Sequence, residues 1–243
     1  MIQFYIKDIA DITELPETES GHCVRVLRMA EGDEIACVDG MGHRYRCRIT
    51  DAHPKRCGIR ILECEDVPSH WGVEITLCFA PTKNLDRIEW MAEKCTEMGV
   101  DRLVPVDCTH SERRVLKTER LRKILVSAMK QSLKATLPGL AEMTPVNRVI
   151  TDLDAITGKP FEGQKFICYC SDEVPRREFA EEYRPGSDVA ILIGPEGDFS
   201  PEEVREAMSH GWIPVSLGQS RLRTETAAMV AVADVHCLNQ KMK

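Results

Sequence analysis

Asp188–Glu203 reads DVAILIGPEGDFSPEE. Its first part, DVAILI, is a short apolar run of the kind that forms a strand buried on both faces. Gly194-Pro195-Glu196-Gly197-Asp198-Phe199 interrupts that run, and Ser200-Pro201-Glu202-Glu203 opens a helix. Ser200 is a capping residue, Pro201 suits the first turn, and Glu203 completes an S-x-x-E capping box. The order is therefore strand, glycine loop, helix N-terminus, the repeating unit of a parallel α/β sheet. Glycines at such a junction let backbone approach a ligand closely, although a plain tight turn needs nothing more. Neither G-x-G-x-x-G nor the P-loop glycine pattern occurs, which disfavours a nucleotide-dependent enzyme of the doubly wound class.

The same alternation extends outward. Val73–Phe79 (VEITLCF) is predicted as a strand, Leu85–Met98 as a helix stopped by Gly99, Leu103–Val106 as a strand and Thr118–Leu133 as a long basic helix. Phe166–Cys170 and Ile213–Leu217 are further short apolar runs. Runs at this spacing indicate a mostly parallel sheet covered by helices, with ligands bound at the carboxyl ends of its strands. Before residue 70 the pattern differs. Glu34–Asp39, a Gly40-Met41-Gly42 turn and Arg44–Ile49 read as a hairpin, and Cys57–Glu63 as another strand. Arg44, Arg46 and Arg48 alternate with Tyr45, Cys47 and Ile49, which puts the three arginines on one face. A cluster of short strands suggests a small β-barrel. The division is expected near Pro68-Ser69-His70, giving residues 1–72 and 73–243.

Composition bounds the function. Hydrophobic residues make up 43% and charged residues 29% of the 243, as in ordinary globular proteins. No apolar run approaches the roughly 18 residues of a membrane span, and the N-terminus lacks a basic-then-apolar signal, so no membrane partner and a cytoplasmic location are expected. The eleven cysteines are scattered without a C-x-x-C pair, which suits a reducing compartment and gives no metal-site spacing. The net charge of −7 excludes a uniformly basic coat but not local patches. Residues 43–60 carry Arg44, Arg46, Arg48, Lys55, Arg56 and Arg60 against Asp51 alone. Residues 112–134 carry Arg113, Arg114, Lys117, Arg120, Arg122, Lys123, Lys130 and Lys134 against Glu112 and Glu119. One charge run is usually a solvated face. Two on an acidic chain lean towards phosphate contact.

A second loop follows the next strand: Leu217-Gly218-Gln219-Ser220-Arg221-Leu222-Arg223-Thr224-Glu225-Thr226-Ala227. It crowds two arginines, an acid and two hydroxyls between a buried strand and an Ala-rich helix. Arg223 and Glu225 at this spacing suit either a plain ion pair or a reactive site.

G-P-E-G followed about twenty residues later by L-G-x-x-x-L-R-x-E-T-A resembles the ribosomal RNA small-subunit methyltransferase E family, of the SPOUT class. Gly21–Arg28 (GHCVRVLR) resembles its N-terminal H-x-x-x-V-L-R segment, and Lys83 through Gly99 its K…E-x-G helix. Ser111-Glu112-Arg113 and Gln131-Ser132 fall at matching places, so the resemblance covers nearly the whole chain. Three positions depart from the pattern. Asp198 replaces a second glycine, Lys134 replaces an arginine, and Arg221 fills an apolar slot.

The resemblance implies an α/β C-terminal domain with a deep trefoil knot, preceded by a PUA-like RNA-binding β-barrel. It implies methylation of uridine N3 in 16S ribosomal RNA with S-adenosylmethionine, and a homodimer formed through the C-terminal domain. The cofactor would lie against Tyr169, Leu192, Ile193, Gly194, Pro195, Glu196, Gly197, Leu217, Gly218, Leu222, Arg223 and Thr226. Arg25, Arg28, Arg44, Arg46, Arg48, Arg113, Arg114, Gln131 and Lys134 would contact RNA. Uridine N3 is a poor nucleophile until its proton leaves, so the site needs a base or a cation that stabilises the anion. Arg223 is the candidate cation, and Glu196 or Glu225 the candidate base or orienting acid. Two rival readings are a non-catalytic RNA-binding assembly factor and the same chemistry on another RNA.

Overall fold

The computed structural model of the chain describes residues 3–69, 71–171 and 174–241, and its strands fall into two sheets. Cα proximity divides the chain into two compact units, residues 1–69 with 126–137, and residues 70–125 with 138–243. Of the expected Pro68-Ser69-His70 boundary, His70 lies outside the described residues.

The first unit begins with strand β1 (Gln3–Tyr5) and helix α1 (Glu17–Gly21), which runs on into a wider helical turn over His22–Val26. Strands β2 (Glu34–Val38), β3 (His43–Asp51) and β4 (Gly58–Asp66) follow, with β1 parallel to β2 and the others antiparallel. The period-two reading of β3 holds: Tyr45, Cys47 and Ile49 are buried while Arg44, Arg46 and Arg48 share the opposite face. Cys23, Cys37, Cys47 and Cys57 join Phe4, Ile9 and Ile49 in the core, where a protonated thiol packs as a small apolar group. Burial is the leading cause that pushes the Cys23 thiol up to about 12.

The arginine face does not present bare charge. Arg44 pairs with Glu65 (3.1 Å), Arg46 with Glu63 (3.0 Å) and Glu34 (3.1 Å), and Arg48 with Glu34 (2.7 Å). The hydrogen bonds from Arg48 and then Arg46 hold the Glu34 carboxyl below its ordinary range. Cross-strand opposition brings these acids into register, and that register lies beyond the reach of a count of local charge.

Val126–Leu137 folds with this first unit, whereas a division at residue 72 leaves it with the second. Its reasons are local. Lys130 pairs with Glu19 (2.8 Å) and lies over the Phe4 ring, and Gln3 donates to the Lys134 carbonyl (2.7 Å). Gly42 N–H donates to Ala135 and Leu137 N–H to Gly40, while Val38, Met129 and Ala135 form a small buried cluster. The helix ends here with Leu133 at φ 56°, the left-handed position that glycine prefers. Leu133 is also 46% exposed, so it has little packing to lose. Leu133→Gly should therefore raise stability by up to about 1 kcal/mol, seen as a higher urea midpoint at unchanged slope; a lower midpoint would contradict this account of the helix end.

The second unit supplies β5 (Ile75–Phe79), α2 (Leu85–Met98), β6 (Arg102–Asp107) and α3 (Thr118–Gln131), whose last turn and a half belongs to the segment just described. Then come β7 (Gly139–Leu140), β8 (Thr144–Pro145), α4 (Val146–Thr151), α5 (Leu153–Thr157), β9 (Gln164–Cys168), β10 (Arg177–Glu178) and α6 (Phe179–Glu182). The chain ends with β11 (Val189–Ile193), α7 (Pro201–Ser209), β12 (Ile213–Ser216) and α8 (Thr224–Gln240). The strands pair in the order β10-β12-β9-β11-β5-β6-β7, with β8 also on β6, and every pairing is parallel. All five residues of β5 and of β11 are buried, as a sheet covered on both faces requires. Gly99 closes α2 at φ 95°, and Ser200 and Glu203 form the full capping box at the start of α7. Among the described residues no helix is long and apolar enough to cross a membrane.

At the amino end of this sheet Asp101 accepts from Ile75 N–H (2.7 Å), and burial raises its carboxyl to about 6. Glu74 and Asp188 add to the rise, and Arg102 opposes it. A carboxyl raised above its unfolded value of about 3.9 stabilises the fold only while protonated. Its contribution is full below about pH 4 and is lost as pH rises through about 6. Asp101→Asn keeps a carbonyl acceptor for Ile75 and removes that loss. It should gain about 3 kcal/mol at pH 8 and nothing at pH 4, measured by denaturant titration at both pH values; equal effects at the two would contradict the burial of this carboxyl.

Candidate active site

Strands β12, β9 and β11 are adjacent and parallel, so their carboxyl ends share one edge. Three loops leave that edge, after Cys168, after Ile193 and after Ser216, and they wall a single cavity of about 1130 Å³. Tyr169, Ile193, Gly194, Pro195, Glu196, Leu217, Gly218, Leu222, Arg223 and Glu225 all line it. Three expected residues do not. Leu192 is buried in the sheet, Gly197 turns against His110, and Thr226 sits half-buried in the first turn of α8. Among the described residues no three His, Cys, Asp or Glu side chains converge as a metal ion needs.

The loops are tied to one another. Thr224 Oγ1 donates to the Gly194 carbonyl (3.1 Å), joining the second and third. Cys170 N–H donates to Asp198 Oδ2 (2.9 Å), joining the first and second. Arg176 Nη1 donates to the Tyr169 carbonyl (3.0 Å) and closes the first loop on itself. Gly194 has no left-handed φ; its constraint is space, because a Cβ there would meet the Phe199 ring at 3.0 Å.

The charged residues divide into two settings. Glu225 is 7% exposed, and its Oε1 lies 3.6 Å from Arg87 Nε of α2, a helix that packs on α8. Its other carboxylate oxygen, Oε2, is buried and has no hydrogen-bond partner among the described residues. Such an atom is costly unless a donor meets it. Arg223 is exposed, occupies the position just before α8, and pairs with none of the described residues. The plain Arg223–Glu225 ion pair is not formed: the acid pairs with Arg87, some 140 residues earlier in the chain. Glu196 stands exposed on the rim. Burial, followed by Asp198, pushes the Cys170 thiol up, and Arg176 and Arg221 partly oppose this.

Sequence reasoning passed over Arg87, Cys170, Arg176 and Asp198 as lining residues. Asp198 carried a signal, since it stands where a glycine is usual and adopts φ 62°. Arg87 carried none, because only the packing of α2 on α8 brings it to Glu225.

The residues expected to meet RNA also divide. Arg113 donates to the Thr82 (3.2 Å) and Lys83 (2.8 Å) carbonyls, and Arg114 pairs with Asp107 (2.7 Å) and donates to Thr109 (3.0 Å). With Arg44, Arg46 and Arg48, these five already have partners within the chain. Arg25, Arg28 and Gln131 are exposed and have none among the described residues, whereas Lys134 has one.

A cavity at the carboxyl edge of a parallel sheet, in a chain that also carries a strand-rich unit, is the layout of a two-part α/β ligand-binding protein. The sequence model of the RNA methyltransferase domain family matches residues 69–236, and that of the RNA methyltransferase PUA domain matches residues 15–62. The chain belongs to this RNA methyltransferase family, whose members include the ribosomal RNA small subunit methyltransferase E proteins. A probable rRNA-methyltransferase from Porphyromonas gingivalis superposes with TM-score 0.93 at 44% identity, over 100% of both chains. The ribosomal RNA small subunit methyltransferase E from Neisseria gonorrhoeae, solved bound to S-adenosyl methionine, gives TM-score 0.82 at 27% identity over 98% of both. The Bacillus subtilis (strain 168) protein of that name is 25% identical over 89% of this chain and 86% of its own.

Proposed function

We propose that this protein transfers the methyl group of S-adenosylmethionine to N3 of a uridine in small-subunit (16S) ribosomal RNA. The observation that carries the reading is the convergence of three strand-end loops on one cavity lined by both Arg223 and Glu225. The cofactor fits that cavity on chemical grounds. Leu217, Leu222 and Ile193 offer apolar walls, and Gly194 and Gly218 offer open backbone. The SAM-bound state of the Neisseria relative supports the same assignment.

When bound, S-adenosylmethionine supplies an electrophilic methyl group on a positively charged sulfur. The protein's part is to align, to exclude water and to manage one proton. Apolar walls favour loss of the sulfonium charge, because charge is costly where water is scarce. Arg223, at the cavity's edge and unpaired among the described residues, has a forked guanidinium that can stabilise a uridine anion through a carbonyl oxygen. Glu225 is held by Arg87 within the wall. Glu196 on the rim is exposed to solvent and suits the acceptor of the N3 proton.

Residues 1–72 are proposed as the RNA-binding module, with Val126–Leu137 packed on it, and the remainder of residues 73–243 as the methyltransferase domain. Arg25, Arg28 and Gln131 can meet phosphate without giving up a partner. The paired arginines exchange a surface carboxylate for a phosphate at little cost, since exposed pairs are worth about 0–1 kcal/mol. Threading of the 194–226 segment into a trefoil knot, a homodimer built through the C-terminal domain, and a cytoplasmic place of action complete the reading.

Calorimetric titration with S-adenosylmethionine tests the cofactor assignment. Saturable heat in the micromolar range is expected; neither heat nor thermal shift at millimolar ligand would leave a non-catalytic RNA-binding role.

A further inference from the structure

Asp198 is one of the few non-glycine residues with a left-handed backbone, at φ 62°, and it lies in the cavity wall. Aspartate tolerates this region better than most residues, but an L side chain there still carries a cost that glycine avoids. Loops seldom hold such a residue unless the side chain is used. Here both carboxylate oxygens are used. Oδ2 accepts from Cys170 N–H (2.9 Å) in the loop after β9, and Oδ1 accepts from Phe199 N–H (2.9 Å) at the end of its own loop. The residue's carbonyl also meets His110 Nδ1 (3.1 Å), as does that of Gly197.

We infer that Asp198 is a positioning residue: its carboxylate staples the Tyr169–Ser171 loop to the Gly194–Phe199 loop and so preforms the cofactor cavity. The inference rests on the proposed S-adenosylmethionine reading of that cavity. Its physical basis is preorganisation. Two loops that must be ordered on binding cost affinity, and a charge-assisted bond made beforehand removes part of that cost. Glycine at this position gives an unstrained backbone but leaves Cys170 N–H to solvent. Aspartate reverses both terms. The staple acts on the cavity wall and does not touch the reacting atoms, so it affects cofactor affinity and not the chemical step.

The test compares wild type, Asp198→Gly and Asp198→Asn in cofactor titration, amide hydrogen exchange at Cys170 and methyl transfer to small-subunit ribosomal RNA. For Asp198→Gly the expected result is about tenfold weaker S-adenosylmethionine binding, the size of one lost charge-assisted hydrogen bond. KM for the cofactor rises with it, kcat at saturation stays within about twofold, and exchange at Cys170 quickens in the free protein. Asparagine keeps the left-handed backbone and one oxygen acceptor, so Asp198→Asn should fall between the two. Should Asp198→Gly fold poorly, the near-isosteric Asp198→Asn decides by the same split. Unchanged affinity with unchanged Cys170 exchange in both variants would overturn the staple, as would loss of kcat at unchanged affinity. Failure of wild type itself to bind S-adenosylmethionine would instead remove the reading beneath it.

Discussion

Arg223→Ala lowers kcat by about 10²–10³-fold while affinity for S-adenosylmethionine stays within a few-fold of wild type. The size follows from the role: one preorganised donor aimed at developing negative charge is worth that much when removed. The selectivity follows from the geometry. Arg223 lies exposed at the cavity edge and pairs with no carboxylate among the described residues, so its loss unpairs none of them. The buried acid beside it, Glu225, keeps Arg87 whichever residue stands at 223. Arg223→Lys should recover only part of the rate, because an ammonium cannot fork onto the uridine oxygen as a guanidinium does. Single-turnover methylation at saturating cofactor checks this. A variant with normal turnover would remove Arg223 from the chemistry, and one that lost cofactor binding outright would make it a cofactor ligand.

The second large effect is expected from Gly194→Val, which should abolish detectable cofactor binding. A Cβ at 194 would stand 3.0 and 3.1 Å from two ring carbons of Phe199 and 3.4 Å from its nitrogen, before either methyl is added. Phe199 cannot swing aside, because it is 2% exposed and packed with Ala80, Val204 and Trp212. The strain therefore moves the loop, and with it the carbonyl that Thr224 binds, so two of the three cavity walls shift together. Overpacking of this kind costs about 1–3 kcal/mol of stability. The fold should survive with a lowered melting point and a cavity that no longer fits. Gly194→Ala, which makes only the first contacts, should lose less. Calorimetry with the folded variant checks the pair, and wild-type affinity in Gly194→Val would place the cofactor elsewhere.

Much of this architecture is written locally. DVAILI, the glycine loop and Ser200–Glu203 announce a buried strand, a turn and a capped helix, and each of those signals lies within a few residues of what it controls. The left-handed stop at Gly99 and the alternation of Arg44, Arg46 and Arg48 with buried neighbours are legible for the same reason. What could not be read depends on partners brought in from far along the chain. The arginine stripe reads as bare charge until β2 and β4 lay Glu34, Glu63 and Glu65 across it. Val126–Leu137 looks like the end of a catalytic-domain helix until Glu19, Gln3 and Gly40 bind it. The candidate site follows the same rule. Its loops are visible as motifs, but the Arg87–Glu225 pair arises only when α2 meets α8. The use of Asp198 appears only once Cys170 is seen to donate to it.

The most direct test of the central claim is nucleoside mass spectrometry on small-subunit ribosomal RNA, taken from cells lacking this activity and incubated with the protein and S-adenosylmethionine. The account predicts 3-methyluridine, formed with wild type and sharply reduced with Arg223→Ala. A methyl group on any other base or atom, or none despite cofactor binding, would contradict it.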